Sequence, residues 1–550
     1  MLSKLLTAIL ISFLTLSAQD QNFFPKPGYF RETLVSPNMH VELKPPTRLA
    51  DFVEGGKLEL SLRAYIELVM ANNTDIAVTK LNIDTAKNAI LRGFAPFDPL
   101  VTASFNTTRT KTPSTSALDA ATTLGTLSQP VNFNYAQTLQ NGTSYNVNFS
   151  ELKSTTNSGF ATLNPAYNSG LSVAFTQPLI RNRGMFVNRI PIMMAQSRLK
   201  KAGFDLKTSL ITLLTNAELA YWQTVQLREN LRVQESALDL ADKFLKRSQR
   251  ELELGAISKL DIYQPQLQFV QAQASVSQAT YLLLQQEDAL RKQMGADLDP
   301  DIRKLPIVLT ESVAAPLDGG RLDAEMLIEK ALLMRPDLRS QMQDLDTDDL
   351  TIKQVSNALR PDLSLTGVYT SQGIGGTFFQ RTNVFNGVAN QSTVTQILPG
   401  GFGDSLDQLF GFGFPVYGFG IRLRLPIRNR QSAADMADAL VNKRRDALQI
   451  RGTEQQVRLD VLTSANLVES SKVSLDLAIK SRDFAQKRLD AENKKYELGT
   501  SQIFLVLQAQ TDLINAESNV VIQSINYKRN ILNMLQTTGQ LLEERGVVVQ

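Results

Sequence analysis

The chain has 550 residues, 43% of them hydrophobic, with 57 Lys+Arg against 54 Asp+Glu for a net charge of +3. So apolar a chain is not a disordered one, and so balanced a charge gives no reason to expect nucleic acid, which calls for a strongly basic face. There is no cysteine and one histidine, His40, which removes disulfides, thiolate nucleophiles, Cys/His zinc sites and c-type haem attachment and points away from most enzymes; neither a metal nor a cofactor is expected.

From the N-terminus, Leu5 to Leu16 behind Lys4 has the charged n-region and short apolar h-region of a secretory signal, and Ser17 and Ala18 stand near a cleavage site. Residues 1–18 therefore read as a signal peptide; an N-terminal membrane anchor would need roughly 20 apolar residues. Residues 19–57, with Pro25, Pro27, Pro37, Pro45 and Pro46, read as an extended arm.

Beyond the arm the chain reads as two similar halves. The first, 58–296, has helices over 58–96 and 187–296 around a β region at 98–179. A Pro/Gly-rich linker, 297–322, precedes the second, 323–542, with helices over 323–359 and 428–542 around a β region at 361–426. Residues 543–550 form a tail. Asn73-Thr74-Asp75-Ile76 answers Arg335-Pro336-Asp337-Leu338, Arg181-Asn182-Arg183 answers Arg428-Asn429-Arg430, and Glu253-Leu254-Gly255 answers Glu497-Leu498-Gly499. Asp75 to Pro99 and Asp337 to Pro361 are both 24 residues.

The long helices carry heptad seams. Leu206, Leu210, Leu213, Ala217, Ala220, Thr224, Leu227 and Leu231 step by four and three, as do Val457, Val461, Ser464, Val468, Ser471, Leu475 and Ala478, the pattern of a coiled coil. From Val187 to Leu254 such a helix is about 100 Å long at about 1.5 Å per residue. Each long helix ends at Leu-Gly, where glycine closes a helix, and Ser258 and Ser501 are placed to cap returning helices over Lys259–Gly295 and Gln502–Leu542.

In the β regions apolar and small or polar residues alternate: Val101, Ala103, Phe105; Phe133, Tyr135; Tyr145, Val147, Phe149 after the Asn141-Gly142 turn; Leu171, Val173, Phe175; Leu363, Leu365; and Tyr417, Phe419, Ile421, Leu423. A transmembrane β-barrel requires this, and so does a soluble sheet with one face on a core. Export, long polar loops (Lys111–Gln129, Lys153–Asn168, Gln372–Pro415) and aromatics at strand ends favour the barrel. One chain offers four to six strands, and open edges cannot face lipid, so several copies must share one barrel. Gly373-Ile374-Gly375-Gly376 and Gly411-Phe412-Gly413 lack the strand–helix setting and Lys-Ser/Thr of a phosphate loop and read as loop glycines.

These motifs together resemble the TolC-like outer-membrane efflux and export channels: Leu60-Ser61-Leu62, Asn73-Thr74-Asp75, Phe97-Asp98-Pro99, Gln177-Pro178-Leu179, Arg335-Pro336-Asp337-Leu338, Arg360-Pro361-Asp362-Leu363, and Tyr496-Glu497-Leu498-Gly499-Thr500-Ser501 followed by Leu507-Gln508-Ala509-Gln510. The resemblance implies an α plus transmembrane-β fold: a homotrimer with a 12-stranded outer-membrane barrel continued by a periplasmic α-helical coiled-coil barrel. It also implies a periplasmic adaptor and an inner-membrane transporter of RND, ABC or MFS type as partners, in efflux or type I secretion. The strands around Asn141-Gly142 depart from two strands per half, either as an external hairpin or as added barrel strands.

In such channels inward-leaning hairpins close the periplasmic entrance just beyond the Gly turns. Matched position by position, the entrance here is Asp261, Gln264, Leu505 and Gln508, with one acidic position and no double acidic ring. The reading of Asp261 as an ordinary first-turn carboxylate stays open. Leu254, Gly255, Ser258, Leu498, Gly499, Thr500 and Ser501 are the adaptor-docking candidates. If Tyr417, Phe419 and Ile421 face lipid, Arg422 and Arg424 face the lumen and favour anions; a position at the membrane rim is the alternative. An exported coiled-coil scaffold with soluble β modules is the competing function.

Overall fold

A computed structural model describes residues 45–114, 121–255, 257–313, 322–382 and 393–547. The expected signal peptide, His40 and most of the expected arm lie outside them. The unit from Thr47 to Gln550 begins with β1 (Val53–Glu54) and β2 (Lys57–Leu60). Residues 58–60, expected as helix, are thus strand. Helix α1 (Leu62–Asn72) follows, capped by Ser61, whose hydroxyl accepts from the Ala64 N–H at 3.1 Å. Asn73 then caps α2 (Thr74–Phe94) through the Asp75 and Ile76 N–H groups.

The second half starts with α5 (Ala324–Met334) and α6 (Pro336–Ala358). There Arg335 replaces Asn73 and does no side-chain capping. Its guanidinium instead grips Asp337 with two bonds of 2.6 and 3.0 Å and reaches the Thr537 carbonyl and Asp460. The same landmark therefore caps a helix in one half and ties three helices together in the other.

Long helices α3 (Ile190–Glu253) and α8 (Arg430–Glu497) span about 95 and 100 Å at about 1.5 Å per residue. They return as α4 (Tyr263–Gln293) and α9 (Ile503–Thr537). Near the turns the four lie in the order α4–α3–α9–α8; further up the order is α2–α3–α6–α8. In α8 the seam residues from Val457 to Ala478 are buried. Helix α3 is buried on two stripes, one through Leu210, Leu214, Ala217 and Tyr221 and one through Ile211, Trp222 and Val225. The reason is its mid-layer position: it also packs on α1 and on the small sheet in which β8 (Ile307–Leu309) runs parallel to β2. The stretch expected as a linker therefore carries a strand, with Ile307 and Leu309 in the core.

The large sheet holds eight strand segments in six positions among the described residues. They are β3 (Leu100–Phe105) with β4 (Thr108–Pro113), β5 (Thr123–Thr138), β6 (Ser144–Thr156), β7 (Leu163–Pro178), β9 (Asp362–Thr382), and β10 (Thr393–Leu398) with β11 (Pro415–Arg424). The Asn141-Gly142 hairpin enters the sheet between β3 and β7. Each chain thus carries two strand positions more than the four that a twelve-stranded trimer draws from a subunit. The expected loops are also largely ordered: 111–113, 123–129, 153–156, 163–168 and 372–382 are strand, and helix α7 (Phe402–Phe410) lies within 372–415.

Below the outer ends of the strands the register keeps odd-numbered residues on one face and even-numbered on the other. The odd face is apolar (Phe105, Phe133, Phe149, Val173, Phe419, Ile421), the even face mostly Asn, Ser and Thr. Helix α7 covers part of the odd face, around the polar residues Glu151, Ser169 and Ser371. Ser169 bonds both Glu151 and Ser405, and the Ser371 hydroxyl donates to the Leu409 carbonyl at 2.7 Å. Gly373 and Gly375 permit this, since a Cβ at Gly373 would lie 1.9 Å from the Ser405 oxygen.

Candidate functional site

At the far end of the long helices both turns use glycine with positive φ, +74° at Gly255 and +72° at Gly499, a backbone that L side chains resist. The Gly499 N–H donates to the Tyr496 carbonyl and the Thr500 N–H to that of Lys495, at 3.0 and 2.9 Å, satisfying the last carbonyls of α8. Leu254 and Leu498 project from the two turns, 83% and 79% exposed.

The serines do not cap the returning helices. The Ser258 hydroxyl accepts from the Leu260 N–H while the Ser258 N–H donates to Asp261 Oδ2 at 3.2 Å. This separate turn delays α4 until Tyr263. The Ser501 hydroxyl donates back to Glu492 Oε2 at 2.8 Å, and α9 starts at Ile503 without a side-chain cap. Bonds from Lys495 and Ser501 hold the Glu492 carboxyl below its ordinary value.

Asp261, Gln264, Leu505 and Gln508 are all exposed at the starts of α4 and α9. One helical turn further in, Gln268 donates to the Thr511 hydroxyl at 3.3 Å. Gln268 continues the face of Asp261 and Gln264, and Thr511 that of Gln508. Asp261 is engaged with its own turn. Arg422 and Arg424 lie on the polar even face, exposed, near the helix end of the sheet; Arg424 stands opposite Asp362.

A cluster that sequence reasoning missed ties the two hairpins together. Arg247 on α3 pairs with Glu251 at 2.9 Å and Glu497 at 3.7 Å, and its guanidinium lies 5.1 Å from the ring centre of Tyr496. The Tyr496 hydroxyl donates to Glu251 Oε2 at 2.8 Å; burial and that carboxylate push its pKa up to about 12, so it stays a donor at neutral pH. Beneath lie Phe244, Leu489, Val506, Leu507 and Leu513. Tyr496 stood in the quoted turn motif, but its partner is 245 positions away.

Residues 65–296 and 327–540, most of the chain, match the outer membrane efflux protein family. The chain belongs to that family. Outer membrane efflux proteins sit in the outer membrane with a periplasmic extension, and the same holds for this chain. It is 22% identical to outer membrane protein TolC of Vibrio cholerae over 356 residues, 64% of this chain and 73% of that one. To the pyoverdine export outer membrane protein OpmQ of Pseudomonas aeruginosa it is 23% identical over 330 residues, 60% of this chain and 61%, under two thirds, of OpmQ. The outer membrane channel CmeC of Campylobacter jejuni matches with a TM-score of 0.61 at 15% identity, over 95% of this chain and 94% of that one. That likeness is one of fold, an α+β fold.

Proposed function

We propose that three copies of this efflux protein close into one passive exit duct, which takes cargo from an inner-membrane transporter through a periplasmic adaptor, in a tripartite pump or a type I secretion system. The observation that carries this reading is that the chain is finished on neither flank. The sheet ends in β3–β4 on one side and β10–β11 on the other, with no further strand partner among the described residues. The helical layer ends likewise in exposed apolar side chains: Val441, Leu448, Leu459 and Val473 on α8, against Val78, Leu81 and Leu91 on α2 and Leu267 and Val270 on α4. Unpaired strand edges facing lipid cost several kcal/mol per group, and a further copy supplies partners to both flanks.

Within this duct Asp261, Gln264, Leu505 and Gln508 form the periplasmic constriction, opened by movement of one hairpin against the other. The exposed turns at Leu254–Ser258 and Leu498–Ser501 meet the adaptor. The transporter is of RND, ABC or MFS type. Arg422 and Arg424 place six guanidinium groups on the lumen and give a mild anion preference, tempered by Asp362.

Membrane fractionation tests the assembly. Heat-modifiable trimer bands that need detergent for extraction are expected. Recovery in the soluble periplasmic fraction would favour the competing reading, a coiled-coil scaffold with soluble β modules.

A further inference from the structure

We infer that each copy gives six strands to the barrel, so that the trimer closes eighteen strands instead of twelve; this rests on the three-copy reading above. The decisive element is the hairpin of β5 and β6. It is hydrogen-bonded on both sides, from Thr126↔Thr156 to Thr138↔Ser144 within itself and from Ser144↔Thr176 to Ser154↔Ala166 against β7, while β3 pairs with β5. Taking the hairpin out of the barrel would break two ladders and leave β3 and β7 unjoined.

Its side chains obey the same two-sided rule as the other strands. Phe133 and Phe149 lie on the apolar face, Asn134 and Asn148 on the polar one. Its tight turn lies at the helix end of the sheet, where the Gly184 N–H donates to the Asn141 carbonyl at 3.1 Å. An external hairpin would place that turn at the opposite end. Six is also an even number, so the two edges run in opposite directions and every junction between copies is antiparallel.

The girth of the helical part agrees. Strands about 4.8 Å apart and tilted by about 40° each take about 6 Å of circumference, so eighteen make about 110 Å and twelve about 75 Å. Three copies of a four-helix layer bring twelve helices at about 8–10 Å each, about 95–120 Å. A ring of eighteen strands therefore falls within the girth of the twelve-helix cylinder. The consequence is a wide barrel lined by Asn, Ser and Thr that does not select by size, which leaves selection to the hairpin turns and admits bulky polar cargo.

Electron cryomicroscopy of the full-length protein in lipid nanodiscs counts the strands directly. Eighteen in a ring of three chains is expected. Twelve, with residues 123–156 outside the lipid, would overturn the inference. Six strands per chain in a ring of another copy number would overturn the three-copy reading while keeping the six-strand contribution. Because the chain has no cysteine, single cysteines at Asn134, Asn148, Phe133 and Phe149 give a second readout in proteoliposomes. A membrane-impermeant maleimide should label the first two at least tenfold faster than the last two; equal labelling contradicts a lipid-embedded hairpin.

Discussion

At the scale of single residues, the half-buried Arg335–Asp337 pair makes the clearest statement about stability. Burial raises the Asp337 pKa, but the bonds from Arg335 outweigh it and hold the carboxyl below its ordinary 3.8. A depressed carboxylate contributes stability that is full above the unfolded value and lost as pH falls through the folded one. The unfolding free energy in detergent should therefore be lower in Arg335→Ala than in wild type by ~2 kcal/mol at pH 7, and the gap should narrow as pH falls below about 3.8. A gap unchanged in acid would mean that Arg335 acts through its bond to the Thr537 carbonyl and its packing instead of through the carboxylates. For Arg422 and Arg424 the readout is the reversal potential in a salt gradient across a planar bilayer. It should lie on the anion side in wild type and move toward zero in the Arg422→Ser/Arg424→Ser double variant. A cation-selective wild type with an unchanged variant would remove the anion preference.

At the scale of elements, Tyr496 and Glu497 on α8 meet Glu251 and Arg247 on α3, so separating the two hairpins must break the charge-assisted Tyr496–Glu251 bond, worth about 1.5–3 kcal/mol, together with the weaker, solvent-screened Arg247–Glu497 pair. Tyr496→Phe, and to a lesser degree Arg247→Ala, should raise single-channel conductance or the time spent open; conductance traces identical to wild type would take the cluster out of the gate. Helix α7 gives a prediction of a different kind. Gly373→Val collides with the Ser405 backbone, whereas a side chain at Gly403 meets open space. Protease added to intact cells should cut within 402–410 faster in Gly373→Val than in Gly403→Ala, and equal rates would show that α7 is not held through Gly373.

How much of these elements could be read from the sequence follows from where the information lies. Periodicity is local, so the α8 seam and the alternating strands were legible in residues such as Val457, Val461, Phe133 and Phe419. The outer strand ends were not, because their Thr, Ser, Gly and Gln residues show no contrast between faces and the ladder that orders them is backbone hydrogen bonding. Strand β8 is three residues long, too short for any period. Ser501 looked like a cap because its position is right, yet its hydroxyl goes back to Glu492. The Arg247–Tyr496 cluster joins residues far apart in sequence, and no local pattern announces it.

At the scale of the whole molecule, one chain is an incomplete object: a two-faced sheet with both edges open among the described residues, above a helical layer with apolar side chains on both flanks. Closing copies on one another satisfies strand edges and apolar stripes together, and turns the polar face of the sheet into the lining of the barrel. Such a closed ring should conduct. Its most direct test is planar-bilayer recording from detergent-purified protein whose native mass has been measured. A mass of three chains and discrete ion-conducting steps are expected; a monomer that stays in solution without detergent and leaves the bilayer silent would rule out the conducting ring.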